Sequence, residues 1–117
     1  MMSECSFKKT KISDKTAIIE TGKVLDNNNA HNMVQCITEL NQDHIQFIIL
    51  DMIDLEFLSS AGVGSIIGTV ELFREMGGDI ILCQVSDQIR HILRILDLEE
   101  FLTIKENIEE AKIAHCV

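Results

Sequence analysis

Proline is absent from this 117-residue sequence, and no glycine- and serine-rich linker interrupts it. We therefore expect no internal domain boundary and assign residues 1–117 to one domain, which is long enough to bury a single hydrophobic core. Basic residues are scarce, because ten Lys and Arg stand against 19 Asp and Glu, for a formal net charge of −9. This charge opposes binding to a nucleic-acid backbone or an anionic membrane and suits a cationic partner surface.

The sequence also lacks any Cys-x-x-Cys pair, since its four cysteines, Cys5, Cys36, Cys83 and Cys116, are widely spaced. Neither a zinc knuckle nor a redox dithiol is predicted, and we expect most of these cysteines to be small core residues or free thiols. There is no signal-peptide pattern and no apolar stretch of membrane-spanning length. We therefore expect a cytoplasmic protein.

Strand-like and helix-like segments alternate along the chain, which predicts an α/β fold. We predict strands at 5–12, 16–21, 47–51, 79–85 and 101–104. We predict helices after the capping residues at 26–29, after the serine pair at 59–60, after Ser86 and at 107–114. Strands that alternate with helices need crossover connections, so these segments indicate a mixed sheet with helices laid against it.

A pair of serines marks the junction between one such strand and helix. The apolar run at 45–50 has the composition of a buried strand, and apolar residues recur at helical spacing from Val63 to Phe73. Ser59 and Ser60 therefore lie at a helix N-terminus, where unpaired N–H groups and the helix dipole favour an added phosphate. Serine is also a preferred N-cap residue, and the local sequence leaves both interpretations open.

No group of residues predicts an enzyme. A nucleophile elbow around Ser60 would need Gly-x-Ser-x-Gly, but Leu58 stands in the place of the first glycine. The segment Gly62-Val63-Gly64 lacks the third glycine of a dinucleotide-binding loop, and no P-loop lysine follows it. The histidines are isolated, which favours surface positions over metal ligation. We predict no catalytic residue, no cofactor and no bound metal.

Two segments carry a resemblance to a known family. Residues 54–64, Asp-Leu-Glu-Phe-Leu-Ser-Ser-Ala-Gly-Val-Gly, followed by residues 77–83, Gly-Gly-Asp-Ile-Ile-Leu-Cys, resemble the core signature of the STAS-domain anti-sigma factor antagonists. Residues 22–26 resemble the family's Gly-x-Leu-Asp element with one extra residue, and residues 85–98 resemble its third helix and following turn. The resemblance implies a single STAS domain over 1–117, with a mixed four- to five-stranded β-sheet and helices packed mainly on one face.

The resemblance further implies a phosphorylation-controlled binding module. In this family the unphosphorylated protein binds an anti-sigma factor that is also a GHKL-type serine kinase, and the sigma factor is released. The kinase phosphorylates a serine at the start of the second helix, and a PP2C-type phosphatase restores the free hydroxyl. By position that serine is Ser60. The family's preceding aspartate is Ser59 here and its following serine or threonine is Ala61, which leaves Ser59 as a rival acceptor.

The partner-binding surface is expected around the same turn. It comprises Asp26, Asn27, Asn28, Ser59, Ser60, Ala61, Gly62 and Val63. Capping of the first helix is an alternative role for Asp26. Gly62 is expected to permit a close backbone approach rather than to contact the partner through a side chain.

A second hypothesis keeps the fold and changes the target. A STAS partner-switch or scaffold module could control a non-sigma output such as a phosphatase or a cyclase, since fold alone does not determine function. Under either hypothesis we expect no direct nucleic-acid partner and no membrane partner. A monomer is the default expectation, because the net charge favours solubility and no heptad pattern indicates a coiled coil.

Overall fold

The computed structural model describes residues 7–114, in which strands and helices alternate as the sequence predicts. The strands are β1 (Lys8–Lys11), β2 (Thr16–Glu20), β3 (Val24–Leu25), β4 (Phe47–Asp51), β5 (Phe57–Leu58), β6 (Asp79–Cys83) and β7 (Thr103–Lys105). The helices are α1 (Ala30–Gln42), α2 (Ser60–Glu75), α3 (Asp87–Ile95) and α4 (Ile108–Ile113).

Five of these strands form one mixed sheet in the order β1-β2-β4-β6-β7. β1 pairs antiparallel with β2, whereas β2, β4, β6 and β7 run parallel to one another. Parallel neighbours need a crossover, and α1, α2 and α3 lie in the three connections between them. The predicted mixed sheet is confirmed, with five strands.

The two faces of this sheet are covered unequally. Successive side chains of a strand point to opposite faces, so Ile48 and Leu50 of β4 join the main core beneath α1, α2 and α3, while Ile49 joins a smaller cluster. Ala111 of α4 packs in that smaller cluster on the other face. The prediction of helices mainly on one face is confirmed.

The strands β3 and β5 were not expected from the sequence. They form a separate parallel pair in which Val24 lies beside Phe57 and Leu25 beside Leu58. Each strand is only two residues long, too short for a period-two pattern to stand out. This pair brings the loop before α1 against the serine turn.

Some boundaries differ from the prediction. The last strand begins at Thr103 rather than at residue 101, and α3 ends at Ile95, one residue before the exposed Leu96. Cys83 is a buried free thiol, as expected. Cys36 is buried and disulfide-bonded rather than a free thiol.

Several predictions lie outside the described residues. They concern Cys5, Cys116 and the start of the first strand. Within residues 7–114, no helix combines the length and apolar character that a membrane crossing needs. In the same range, no group of three or more His, Cys, Asp or Glu side chains is arranged to hold a metal ion.

Candidate functional site

The two serines of the strand-to-helix turn have different surroundings. Ser59 is the N-cap of α2, with extended backbone angles, and its Oγ accepts a hydrogen bond from the Gly62 N–H at 3.2 Å. Ser60 is the first residue of α2 and is exposed. Within residues 7–114 its hydroxyl has no hydrogen-bond partner. The cap therefore uses the Ser59 hydroxyl and leaves that of Ser60 accessible.

The N-terminus of α2 is electropositive. Its first turn contains no Asp or Glu to offset the helix dipole. The N–H groups of Gly62 and Val63 are taken by Ser59, at 3.2 Å to its Oγ and 2.9 Å to its carbonyl oxygen. In the described part of the chain, the N–H groups of Ser60 and Ala61 remain unpaired. A phosphate at this position would have two backbone donors beside it.

The loop that follows β3 lies against this turn. The Ser59 N–H donates to the Leu25 carbonyl at 3.0 Å. The Ser59 hydroxyl donates to Asn27 Oδ1 at 3.4 Å, across 32 positions of sequence. The structure thus brings together Asn27 and Ser59, two of the residues that were predicted to bind a partner.

Asp26 shapes the loop rather than capping α1. Its Oδ1 accepts from the Asn28 N–H at 2.9 Å, and its own N–H donates to Asn29 Oδ1 at 2.9 Å. The N-cap of α1 is Asn29, whose side chain makes no capping hydrogen bond. Asp26 is therefore not the N-cap residue of α1, but its carbonyl accepts the Ala30 N–H at 2.8 Å and its carboxylate orders the turn that leads into the helix.

Gly62 and Val63 support the turn from inside. Val63 is part of the main core. A Cβ on Gly62 would lie 2.5 Å from the Leu25 carbonyl oxygen and 2.9 Å from Leu58 Cδ1, so glycine is needed where α2 approaches β3. The other predicted partner-binding residues reach the surface, where Asn27, Asn28, Ser60 and Ala61 are exposed and Asp26 and Ser59 are half-buried.

Sequence reasoning missed three exposed apolar residues in the segments that lead to this turn. Val24, Ile53 and Phe57 are 39%, 57% and 55% exposed, respectively. Phe57 and Val24 lie side by side on the β3–β5 pair, in the strand that leads directly to the serines. Phe57 could have been noticed as an aromatic residue between Glu56 and the serine pair, but its exposure depends on a strand pair that the sequence did not predict.

A cavity of about 580 Å³ lies elsewhere, and its lining includes Thr16 and Phe47 at the amino ends of β2 and β4. Open α/β sheets bind their ligands at the carboxyl ends of the strands, and the serine turn follows the carboxyl end of β4. The cavity is therefore separate from the site around Ser60.

Comparison with known proteins agrees with this arrangement of strands, helices and turn. The family model described as "STAS domain" matches residues 8–111. The chain belongs to the STAS domain family. This STAS chain is 23% identical over 100 residues to the anti-sigma-B factor antagonist of Staphylococcus aureus, an alignment that covers 86% of the chain and 93% of that relative.

Solved structures share the STAS fold. A Thermotoga maritima protein superposes with a TM-score of 0.83 at 25% identity over 92% of each chain. The unphosphorylated form of the anti-sigma factor antagonist SpoIIAA gives a TM-score of 0.74 at 23% identity, covering 93% of this chain and 96% of SpoIIAA. The phosphorylated form of Bacillus SpoIIAA gives a TM-score of 0.73 at 24% identity, covering 93% of this chain and 98% of SpoIIAA. The fold thus matches a protein that has been solved in both phosphorylation states.

Proposed function

We propose that this STAS protein is an anti-sigma factor antagonist. In its unphosphorylated form it binds an anti-sigma factor that is also a GHKL-type serine kinase, and the sigma factor is released. Phosphorylation of Ser60 by that kinase ends the complex, and a PP2C-type phosphatase restores it. The names of relatives from Staphylococcus aureus and Paenibacillus polymyxa, both antagonists of anti-sigma factors, support this class of function.

The observation that carries the proposal is the accessible hydroxyl of Ser60 at the first position of α2. A kinase must reach the acceptor oxygen, and Ser60 is exposed with no hydrogen bond to break within residues 7–114. Transfer to Ser59 would remove the proton that its hydroxyl donates to Asn27 Oδ1 and would put the phosphate on the oxygen that caps the Gly62 N–H. This difference favours Ser60 as the acceptor over its rival.

The switch acts through local charge and hydration rather than refolding. A phosphate adds about −1.5 to −2 charges at neutral pH. At the centre of a packed interface the phosphate adds bulk that separates the two surfaces, and its charges lose their water at a cost of several kcal/mol. The helix N-terminus receives the phosphate within the chain itself, so the fold tolerates the modification that the complex does not.

The proposal treats residues 1–117 as one STAS domain in a monomer that has no catalytic activity of its own. It places the protein in the cytoplasm, where ATP and the sigma factor are found. It includes no direct contact with nucleic acid, because the formal net charge is −9.

The first test is phosphorylation by the GHKL-type kinases of the protein's own genome. Intact mass and peptide mapping after incubation with ATP should show one phosphate on the wild type and on Ser59→Ala, and none on Ser60→Ala. Loss in Ser59→Ala alone would move the acceptor by one residue. No phosphate with any of these kinases would refute the switch.

The second test distinguishes an anti-sigma factor from a phosphatase or cyclase as the target of this protein. Isothermal titration should show binding of the kinase to the wild type and Ser60→Ala, with much weaker binding to Ser60→Asp. Release of the sigma factor from its complex with the kinase, followed by gel filtration, would support the proposal. Binding to a phosphatase or a cyclase, without sigma release, would favour the scaffold hypothesis instead.

A further inference from the structure

Two exposed apolar side chains, Val24 and Phe57, lie on the strand pair next to the serine turn, and a third, Ile53, precedes Phe57 by four residues. The proposed switch uses none of them. We name Val24, Ile53 and Phe57 the ribbon patch. Leu25 and Leu58, the alternate residues of the same two strands, are buried and anchor the β3–β5 pair to the core. Since neighbouring strands lie about 4.8 Å apart, the in-register Val24 and Phe57 form one continuous apolar surface.

The backbone beneath the ribbon patch is held in place. The N–H groups of Glu56 and Phe57 donate to the Lys23 carbonyl at 2.8 and 3.1 Å. The Ile53 N–H donates to Asp51 Oδ1 at 3.1 Å, and the next turn is closed by a 3.1 Å bond between the Leu55 N–H and the Met52 carbonyl. A preorganised apolar surface loses little conformational entropy on binding, which favours a docking role.

We propose that the ribbon patch is a second contact surface for the anti-sigma factor, and that it inserts Phe57 into an apolar cleft rimmed by Arg or Lys. This inference rests on the proposed function. The ribbon patch adjoins the proposed interface, because Phe57 stands three residues before Ser60 and the Leu25 carbonyl binds the Ser59 N–H. Partially exposed aromatic residues that fill a partner's pocket are typical interface anchors.

The charge of the surroundings specifies the partner's chemistry. Asp54 and Glu56 are exposed and lie between Ile53 and Phe57 in the sequence, and the exposed Lys23 lies beside Glu56, whose N–H donates to the Lys23 carbonyl. Among the ion pairs of the described residues, neither carboxylate takes part. Two unpaired carboxylates around an apolar centre match a partner whose apolar cleft has a basic rim.

The ribbon patch and Ser60 then have separate tasks. The ribbon patch sets the affinity of the unphosphorylated complex, and Ser60 determines whether the complex can form. Truncating Phe57 should weaken binding without changing which serine is phosphorylated. Because truncation of an anchor residue commonly costs a factor of about ten to one hundred in affinity, the effect is measurable by titration.

The test measures the affinity of the full chain for its anti-sigma factor by isothermal titration. Phe57→Ser and Ile53→Ser should each bind about tenfold or more weakly than the wild type. Ile113→Ser is the matched control, because Ile113 is 69% exposed on α4 at the other face of the sheet, and it should bind as the wild type does. Urea unfolding of each variant verifies that the fold is intact.

Charge reversal at Glu56 tests whether the partner's cleft has a basic rim. Glu56→Lys should slow association and reduce its salt dependence, whereas Glu109→Lys on α4 should change neither. Unchanged association of Glu56→Lys would overturn the assignment of a basic rim to the partner.

The outcomes separate this inference from the proposed function. Wild-type binding that Ser60→Asp abolishes, with Phe57→Ser and Ile53→Ser unaffected, would overturn the ribbon patch and leave the switch intact. No binding of the anti-sigma factor by the wild type would overturn both. A wild-type dimer that Phe57→Ser converts to a monomer, seen by analytical ultracentrifugation, would show that a second copy of the chain occupies the ribbon patch and would overturn the assignment.

Discussion

Replacing Gly62 with alanine places a methyl group in the contact between α2 and β3. The new Cβ would lie 2.5 Å from the Leu25 carbonyl oxygen and 2.9 Å from Leu58 Cδ1. The carbonyl cannot easily retreat, since it also accepts the Ser59 N–H at 3.0 Å. The methyl group therefore pushes β3 away from the serine turn or bends the start of α2.

Gly64 provides a control on the same helix. A Cβ on Gly64 would meet nothing within 4 Å, and the residue is exposed. Alanine at this position gains helix propensity and restricts the unfolded chain, which is worth about 0.4–1 kcal/mol. At Gly62 the same gain is opposed by overpacking of about 1–3 kcal/mol. Because the gain is common to both variants, we expect Gly62→Ala to be less stable than Gly64→Ala by the overpacking alone, about 1–3 kcal/mol.

Urea unfolding followed by far-UV circular dichroism measures this difference. With a slope of about 1–3 kcal/mol per molar urea, the midpoints of the two variants should differ by roughly 0.3–3 M. The wild-type midpoint should lie between them. If Gly62→Ala unfolds at the same urea concentration as Gly64→Ala or higher, the close approach of α2 and β3 is not a constraint, and the reasoning is wrong.

Three further predictions concern the turn, the core thiol and a polar cluster. Ser59→Ala should lower the free energy of unfolding by about 1 kcal/mol because it removes the α2 cap, whereas Ser60→Ala should leave the urea midpoint nearly unchanged. Burial, with a smaller contribution from a nearby carboxylate, raises the pKa of the Cys83 thiol to about 12 from 9.0. At pH 8, iodoacetamide should therefore modify Cys83 only in urea, which peptide mapping measures. The contribution of this thiol to stability should be complete below pH 9.0 and lost as the pH rises towards 12, which unfolding at several pH values measures. Asp79→Ala should lower the free energy of unfolding by roughly 1–3 kcal/mol because it removes a 2.9 Å ion pair with Arg74. An unchanged urea midpoint would contradict this prediction.

Local patterns in the sequence were sufficient for the larger elements. The apolar run before Asp51 predicted β4, and the serine pair predicted the start of α2. Ser86 predicted the cap of α3, and its Oγ accepts the Ile89 N–H at 3.2 Å. Such features are readable because they depend on a few neighbouring residues and on the periods of helices and strands.

The candidate site was only partly predictable. The position of the serine pair followed from the strand and helix on either side of it. Which of the two serines caps α2 could not be predicted, because serine suits the N-cap at either position. The choice depends on the turn geometry after Leu58. The bond between Asn27 and Ser59 also could not be predicted, since it joins residues 32 positions apart.

The sequence by itself determined the α/β class, the order of the main elements, the acidic character and the serine turn, because these follow from composition and short-range periodicity. The tertiary structure decided which groups remain accessible. The pairing of β3 with β5 buries Leu25 and Leu58, presses Gly62 against a carbonyl and exposes Phe57 beside Ser60. Contacts between distant segments create these environments, and no single segment of the chain encodes them.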